Sequence, residues 1–389
     1  MKVEQIYTLM NSVTSEVLGK TDLVKEDLSN VVDVGKELFS SSDVDNYVKA
    51  LVNRVGKTIF VNRKYAGKIP SVVMDAWEFG SVLQKISADL PNATENSSWE
   101  LVDGTSYDPN IFYKPNVSAK FYNSKVTFEV PLSFTEKQVK ESFNNASELN
   151  AFLSMLYNAV EKSMTVKIDA LVMRTINNMI ANTFDGDATG VRAVNLLKEY
   201  NTLNGLSGAS ALTANKALTN SEFLRFASLK LALYADRLGT ISTLFNAGGK
   251  ERFTSREDLQ IVLLSDFAQG AKTYLESDTF NKELVSLPAA ETVPYWQASG
   301  TSYGFDKTGT INVQIKGKND VKKDVTVSGI IGVMFDRDAL GVSNLDRRVT
   351  TNYNPKAEFF SNWYKFDAGY FNDLNENFVV FYVADDATK

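Results

Sequence analysis

Two short motifs in the sequence contain residue types that bind metals or phosphates. DGDATG at 185–190 begins like a calcium-binding loop, with alternating oxygen ligands and a glycine at its sixth position. Its twelfth position is Leu196, where a calcium loop places a bidentate glutamate. GGK at 248–250 has the end of a phosphate loop, but Glu251 follows where serine or threonine is required. We therefore interpret both motifs as turns.

The pair Asp336 and Asp338 has the residue types of a carboxylate-dependent hydrolase or a two-metal site. Sequence alone does not bring the pair into a cleft with other reactive groups, so we favour a turn that leads off a strand. A carboxylate-dependent polysaccharide hydrolase stays open as an alternative function. It predicts an activity that survives dilution to the monomer and is lost when a single Asp or Glu is replaced.

A third candidate is an aromatic cluster near the C-terminus, accompanied by Arg347, Arg348 and Lys356. Aromatic rings beside cations can stack on nucleic-acid bases. They can equally fill a protein core or a subunit contact, because aromatic side chains carry large apolar areas. We favour the second interpretation for Tyr353, Phe359, Phe360, Trp363, Tyr364, Phe366, Tyr370 and Phe371.

The composition excludes several classes of chemistry. The 389 residues include no cysteine and no histidine, which removes disulfides, thiolate catalysis, the Ser/His/Asp triad and the commonest transition-metal ligand. We expect no catalytic residues, no cofactor and no metal. The net charge of −6 argues against a surface that binds nucleic acid throughout. The N-terminal sequence lacks the apolar segment of a signal peptide, which predicts synthesis in the cytosol.

The sequence is organised around one long apolar stripe. Apolar residues recur at helical spacing from Ser147 to Asn182, and no glycine or proline interrupts the chain between Pro131 and Gly186. This pattern predicts a helix of roughly 50 Å at about 1.5 Å per residue. Charged residues within the segment, such as Lys167, exclude a membrane span.

Two segments of the N-terminal region indicate surfaces for partners. The first is a short heptad-like seam, which predicts either an amphipathic helix on its own domain or an arm that docks on a neighbouring subunit. Its candidate contact residues are Val3, Ile6, Met10, Val13 and Val17. The second is a basic stretch that forms either a solvated strand edge or a surface facing phosphates. Its candidate DNA-facing residues are Arg54, Lys57, Arg63, Lys64 and Lys68.

A β-hairpin is predicted in the middle of the chain. VSAKFY at 117–122 and VTFEVPLSF at 126–134 are separated by three turn residues, and the second segment alternates apolar and polar residues throughout. Pro131 has no N–H to donate, so its position belongs at a sheet edge or at the end of pairing. Because a two-stranded excursion is marginal in water, we expect a neighbouring subunit to cover it. The candidate contact residues are Phe121, Phe128 and Phe134.

The second half of the chain indicates a mixed lobe in which helices and strands alternate. Thr219 and Glu222 form a capping box that starts a helix, which Gly239 ends. Strands are predicted at 259–264, 310–315, 325–335 and 378–383. We expect the last of these to return and pack beside the long helix.

This order of parts resembles the major capsid protein of tailed bacteriophages, with the Hong Kong ninety-seven-like fold. The resemblance covers nearly the whole chain and is closest to the short-tailed podovirus type. It is clearest in FTSREDLQIVLLSDFAQGAKTYLES (253–277) and from GIIGVMFDRDALG to NENFVVFYV (329–383). It implies an α+β fold with an N-terminal arm, an extended β-hairpin loop, a peripheral domain with a long spine helix, and a mixed α/β axial domain.

The resemblance also implies domain boundaries. The arm is expected at 1–50, the first peripheral-domain strand region at 51–70, the extended loop at 71–135, the peripheral domain at 136–218 with its spine helix at 147–182, the axial domain at 219–335, and a returning peripheral-domain segment at 336–389. An arm of this length is too short for a fused scaffolding domain. The resemblance therefore implies a separate scaffolding protein.

The implied function is that of a major capsid protein, which self-assembles into hexamers and pentamers that form an icosahedral shell around double-stranded DNA. The implied partners are other copies of the chain, a separate scaffolding protein, a portal protein and DNA bound without sequence specificity, with no membrane. The implied location is the virion capsid, assembled in the host bacterial cytoplasm, and no enzymatic activity is expected. An encapsulin-like compartment shell of the same fold stays open as an alternative.

Overall fold

The computed structural model consists of two compact units. The first comprises Met1–Glu78, Lys125–Val172 and Val342–Gly369, and the second comprises Phe79–Ser124, Met173–Gly341 and Tyr370–Lys389. The residues that the structure describes are 3–19, 24–40, 46–47, 49–51, 69–74, 83–88, 91, 93, 95, 102–104, 110–114, 116–142, 146–187, 189–278, 290–296, 311–316 and 322–385. Helices and strands occur in both units, so the predicted α+β class is confirmed.

Within these residues the helices are α1 (Val3–Leu18), α2 (Val31–Ser40), α3 (Glu136–Ser142), α4 (Ala146–Gly186), α5 (Leu196–Leu203), α6 (Ala214–Ala217), α7 (Ser221–Leu238) and α8 (Ser265–Asp278). The strands are β1 (Val73–Met74), β2 (Leu83–Ala88), β3 (Val117–Tyr122), β4 (Lys125–Thr135), β5 (Ala193–Asn195), β6 (Leu259–Leu264), β7 (Glu291–Val293), β8 (Ile311–Lys316), β9 (Lys322–Val327), β10 (Ile330–Asp336), β11 (Leu340–Asn354), β12 (Phe359–Asn372) and β13 (Phe378–Tyr382). A search of the described helices finds none with the length and apolar character needed to cross a membrane.

The long helix predicted at 147–182 is present as α4, which extends a few residues further at its C-terminal end. Its 41 residues give a length of about 60 Å at 1.5 Å per residue. The apolar stripe is buried along the helix, for example at Leu156, Ile168 and Ile176. Burial of one continuous face stabilises a helix more than its intrinsic propensity does, which explains why the sequence pattern identified it.

The first unit contains a four-stranded sheet in the order β1-β11-β12-β4. Its β4 pairs antiparallel with β12 over eleven residue pairs, from Lys125 and Gly369 to Thr135 and Phe359. Alternate side chains of β12, including Phe360, Tyr364 and Phe366, are buried. These aromatic residues therefore form a core, as we favoured from the sequence. Among the described strands β4 lies at the sheet edge, where Pro131 faces Trp363 of β12.

The hairpin predicted between 117–122 and 126–134 is wrong. β3 pairs antiparallel with β2, and β4 pairs with β12. The two strands are consecutive in the sequence, but they belong to different units. Alternation of apolar and polar residues indicates that a strand has one buried face, and it does not identify the partner strand. The two-stranded excursion exists, but its first strand is β2.

The second unit contains a five-stranded sheet in the order β5-β13-β10-β6-β7. The central β10 is antiparallel to both β13 and β6, whereas β5 and β7 pair in parallel with their neighbours. Helices α7 and α8 bury Phe223 and Phe267 in the same hydrophobic core as Phe381 of β13. The indole N–H of the buried Trp296 donates to the carbonyl oxygen of Ile330 at 3.0 Å.

Two local predictions in this unit need correction. The strand predicted at 325–335 is two strands, β9 and β10, because Gly329 between them has a φ of +72° and any Cβ there would overlap the carbonyl oxygen of Val383. The helix α7 is capped by Asn220, not by Thr219 of the predicted capping box. The side chain of Asn220 accepts from the N–H of Phe223 at 2.8 Å.

Replacing Ile168 by aspartate is expected to abolish the native fold, because this side chain is fully buried in α4 and the new charge would have no partner. The matched control is Val166→Asp, which introduces the same charge two residues away at an exposed position. We expect the control to alter the free energy of unfolding by only about 0.5 kcal/mol. Circular dichroism during thermal unfolding distinguishes the two variants. A cooperative, wild-type melting curve for Ile168→Asp would contradict the assignment of the buried face.

Candidate functional site

The two-stranded ribbon of β2 and β3 has two chemically different faces. In its register Lys85 lies opposite Lys120, and Ile86 lies opposite Ala119. Cross-strand partners point to the same side of a sheet, and successive residues point to opposite sides. The anchored face consists of Leu83, Lys85, Ser87, Ser118, Lys120 and Tyr122, and the outward face consists of Gln84, Ile86, Ala88, Val117, Ala119 and Phe121.

An ion-pair cluster of Lys85, Lys120, Arg252, Asp373 and Glu376 holds the anchored face. The Nζ of Lys85 lies 3.1 Å from Oδ2 of Asp373 and 2.7 Å from Oε1 of Glu376. The Nζ of Lys120 lies 2.8 Å from Oδ1 of Asp373, and the Nε of Arg252 lies 3.4 Å from Oε2 of Glu376. Like charges directly opposite each other on a sheet repel. The bridging carboxylate of Asp373 therefore allows both lysines to occupy one face.

The carboxylates of the cluster lie in the turn between β12 and β13. The backbone N–H of Asp373 donates to the carbonyl oxygen of Ala339 at 2.7 Å, and its side chain accepts from the N–H of Asn375 at 3.0 Å. Lys85 also donates to the carbonyl oxygen of Asp338 at 3.1 Å. The contacts of Asp373 with Ala339 and Asn375 hold its carboxylate within the turn. The ribbon is therefore attached at defined points to the second unit, to which all these residues belong.

Burial and ion pairing act in opposite directions on Asp373, whose side chain is 3% exposed. Burial alone would raise the pKa of the carboxyl group. The hydrogen bonds from Lys120 and from the N–H of Asn375, with the charge of Lys85, outweigh burial and lower this pKa below the ordinary aspartate value of 3.8. The group is therefore ionised at neutral pH, and its ion pairs are less screened by salt than those on an open surface.

The outward face exposes large apolar side chains. Ile86, Val117 and Phe121 are 64%, 56% and 63% exposed. The chain connecting the two strands exposes three more, Ile111, Phe112 and Tyr113. Contiguous exposed apolar groups of this size mark an interaction surface in soluble proteins. The arrangement therefore has the chemistry of a docking face, with its charges neutralised on the opposite side.

Some of the candidate contact residues identified from the sequence lie inside their own chain. Met10, Val13 and Phe134 are buried, so they are removed from the set of residues available to a neighbour. Met10 accepts a hydrogen bond from the hydroxyl of Tyr47 at 3.4 Å, which indicates that α1 packs on its own unit. Phe134 packs edge-to-face on Phe152, with ring centroids 5.6 Å apart. Sequence periodicity identifies an apolar face, but not whether the same chain covers it.

The other candidates divide into exposed, half-buried and undescribed positions. Phe121 is exposed on the outward face, whereas Val17 and Phe128 are half-buried. The side chains of Val3 and Ile6 lie outside the described part of the chain. The candidate DNA-facing residues also lie outside the described residues: Arg54, Lys57, Arg63, Lys64 and Lys68.

The calcium-like motif forms the turn that follows α4. Oδ1 of Asp187 accepts from the N–H groups of Thr189 and Gly190, at 3.0 and 3.1 Å. Oδ2 accepts from the N–H groups of Arg192 and Ala193, at 2.7 and 2.8 Å. Burial raises the pKa of Asp187, but these donors outweigh it and lower the pKa overall. Both oxygens are therefore used to close the turn.

The pair Asp336 and Asp338 also forms a turn, as we favoured. Oδ1 of Asp336 accepts from the N–H of Asp338 at 2.9 Å, and Oδ2 accepts from the hydroxyl of Thr254 at 2.7 Å. Burial raises the pKa of Asp336. Among the described residues no group of three or more acidic side chains is placed to hold a metal ion.

Sequence reasoning missed the ion-pair cluster completely. Its five members come from four separate places in the chain, and Lys85 and Asp373 are far apart in sequence. Each is individually an ordinary charged residue of a polar segment. A prediction that β2 pairs with β3 would have placed the two lysines opposite each other. The irregular sequence of 89–116, which separates the two strands, concealed this pairing.

These features are typical of one class of protein, a structural subunit that exposes an apolar face. A family model for Phi29-like phage major capsid proteins matches residues 10–382. Because the match spans almost the entire chain, the protein belongs to the Phi29-like phage major capsid protein family, whose members are structural components of the virion. Membership in a structural capsid family implies a non-enzymatic role. It favours neither the polysaccharide hydrolase nor the encapsulin-like compartment.

Several solved structures of phage particles are similar to the chain. A chain in the capsid of Staphylococcus phage Andhra has 10% identity and a TM-score of 0.48, covering 83% of this chain and 86% of that one. A chain in a structure of bacteriophage P68 that includes the head fibre and an inner core protein has 10% identity and a TM-score of 0.49, covering 83% and 86%. A chain in the capsid of cyanophage P-SCSP1u has 11% identity and a TM-score of 0.45, covering 83% and 90%. No curated protein sequence matches the chain. The family assignment rests on the sequence match.

Replacing Asp373 by asparagine is expected to lower the free energy of unfolding at pH 7 by about 2 to 3 kcal/mol, because Lys85 and Lys120 would face each other without a bridging charge. The native pKa of Asp373 is lowered, so its contribution is complete above the ordinary value of 3.8 and is lost as pH falls through the native value. The difference between wild type and variant should therefore be constant from about pH 5 to 8 and shrink below about pH 4. Urea unfolding at several pH values measures it.

The control for this experiment is Asp346→Asn, which removes a carboxylate from an exposed pair with Arg348. Exposed pairs contribute about 0 to 1 kcal/mol, so this variant should unfold almost like the wild type. If Asp373→Asn behaved like the control, or if its effect did not depend on pH, the ion-pair cluster would not be what holds the ribbon.

Proposed function

We propose that the chain builds the phage shell by packing the outward face of its ribbon against neighbouring copies, in closed rings that are hexamers and pentamers. The observation that carries the proposal is the exposure of Ile86, Val117 and Phe121 on a face whose opposite side is anchored by ion pairs. A surface that is already anchored loses little conformational freedom when it docks. Membership in the capsid family supports self-association.

The geometry of such a contact is heterologous, because the ribbon of one copy covers a different surface of the next. Heterologous contacts form rings when the rotation between copies closes. Rings of six and five subunits assemble further into an icosahedral shell. We expect each contact to be individually modest, because many weak contacts add up to a stable shell while permitting errors to dissociate during assembly.

The interior of this shell holds double-stranded DNA, bound without sequence specificity. The net charge of −6 argues against a surface that binds DNA everywhere, so the proposed contact with DNA is confined to a local basic face. The basic residues from Arg54 to Lys68 are the proposed DNA-facing set. A separate scaffolding protein and a portal protein are proposed as further partners, with assembly in the host bacterial cytoplasm.

Replacing Phe121 by serine is expected to leave the protomer folded and to raise the protein concentration needed for assembly by about tenfold or more. The phenyl group is exposed in the protomer, so its loss costs little before assembly, whereas truncation of a central interface residue typically costs more than about 1 kcal/mol per contact. Light scattering with negative-stain electron microscopy of the purified protein over a concentration series measures the effect.

The matched control is Phe253→Ser, because Phe253 is 58% exposed, compared with 63% for Phe121, and lies outside the ribbon. It should assemble at the wild-type concentration. Normal assembly of Phe121→Ser, with closed particles at that same concentration, would refute the outward face as the contact. A wild-type chain that stayed monomeric at high concentration would refute the shell itself.

A further inference from the structure

We infer that the exposed face of α7 binds an amphipathic helix of a different protein, whose apolar seam is flanked by acidic side chains. The inference goes beyond the proposed function, because that function concerns contacts between copies of this chain. It also rests on a different surface, since α7 (Ser221–Leu238) is not part of the ribbon.

The outer side of α7 carries an apolar seam, which consists of Phe226, Leu229 and Leu233. Leu229 and Leu233 are 59% and 39% exposed, and Phe226 is half-buried beside them. Their spacing of three and then four residues places the three side chains on one side of the helix. The opposite side, which includes Leu231 and Leu238, packs in the core of the second unit. Because a surface helix normally presents polar side chains to water, a second apolar side indicates a contact surface.

Cations lie on both sides of the seam. With the seam as the a and d positions of a heptad, Arg225 occupies a g position, and Lys230 and Arg237 occupy e positions. Charges at the e and g positions determine which partner helix is accepted. The Nζ of Lys230 lies 5.3 Å from the ring centroid of Phe226, and the Cζ of Arg237 lies 5.2 Å from that of Tyr234. These contacts keep both cations close to the helix.

The acidic residues near this face lie at the ends of the seam or already have partners. Glu222 and Asp236 are at the two ends, and Oδ1 of Asp236 lies 2.7 Å from Nη2 of Arg256. Oε2 of Glu199, on α5, lies 2.7 Å from the Nζ of Lys230. The middle of the seam is therefore flanked by cations, although the whole chain carries a net charge of −6.

The occupant that complements this surface is a helix with apolar residues at its own a and d positions and Glu or Asp at its e and g positions. A nucleic acid would pair with the cations but would leave the leucines uncovered. The α7 of a second copy would bring the same cations to the seam, where like charges repel. The surface therefore fits a helix of another protein.

A synthetic peptide tests the surface directly. The probe is a fluorescent helix of roughly three heptads with Leu at a and d and Glu at e and g, and the comparison peptide has Lys at e and g. Each is titrated with the full chain below the concentration at which it assembles, and fluorescence anisotropy measures binding. We expect the acidic peptide to bind about tenfold more tightly or better than the basic one. No binding of the acidic peptide, or equal binding of the two, would overturn the inference.

Charge reversal tests the flanks of the seam. The double variant Arg225→Glu with Arg237→Glu should prefer the basic peptide, because the charges beside the seam are then acidic. Both positions are exposed, so circular dichroism should match that of the wild type. A folded double variant that kept the wild-type preference for the acidic peptide would contradict the role of these cations.

Replacement of Leu229 by serine tests the seam itself. Loss of a central apolar group should weaken binding of the acidic peptide about tenfold or more. The matched control is Leu244→Ser, because Leu244 is also 59% exposed and lies outside α7. The control should bind like the wild type. If Leu229→Ser bound as tightly as the control, the seam would not be the contact.

The same two variants distinguish another protein from a second copy as the occupant. The peptide titration uses the unassembled chain, so its result does not depend on whether a shell forms. Leu229→Ser should assemble at the same concentration as Leu244→Ser. A selective rise in the concentration that Leu229→Ser needs would assign the seam to a contact between copies and overturn the inference.

Discussion

The ribbon depends on one electrostatic constraint: two lysines directly opposite each other on a two-stranded sheet need a negative charge between them. Asp373 supplies it, with one oxygen directed to Lys85 and the other to Lys120. Glu376 and Arg252 extend the cluster. Because these groups are partly buried, breaking one pair leaves others without partners. These ion pairs therefore help to hold the ribbon against the turn between β12 and β13.

The two faces of the ribbon differ in role: the anchored face attaches the ribbon to its own chain, and the outward face is exposed. The lysines of the anchored face satisfy their charges within the protomer, so the outward face can be almost entirely apolar. Such a face is a liability in an isolated protein, since exposed apolar groups promote nonspecific association. In the proposed shell the liability is temporary, because neighbouring copies would cover the face once the shell forms. The same division explains why the apolar residues of β2 and β3 do not contribute to a core of their own.

Sequence reasoning succeeded where structure depends on local periodicity. Helix α4 was predicted almost to its ends, because its buried stripe repeats along one continuous segment. The burial of the aromatic residues of β12 was also predictable, because their chemistry strongly favours it. The pairing of β3 failed because alternation does not specify a partner, and the strand at 325–335 was not divided because Gly329 gives no signal of its left-handed conformation among other strand residues. The candidate site was missed for the same reason: Lys85 meets Asp373 only through folding.

Pro131 limits the pairing of identical chains along the edge of the four-stranded sheet. It sits on β4, at the described edge of the four-stranded sheet, in a strand of eleven residues. An uncovered edge of that length is a template for strand addition between identical chains, which would lead to open-ended fibres. Proline cannot donate a backbone hydrogen bond, so it interrupts any such ladder in the middle of the strand. In a capsid protein, which is made in many copies, this missing N–H disfavours strand addition along the described edge of β4.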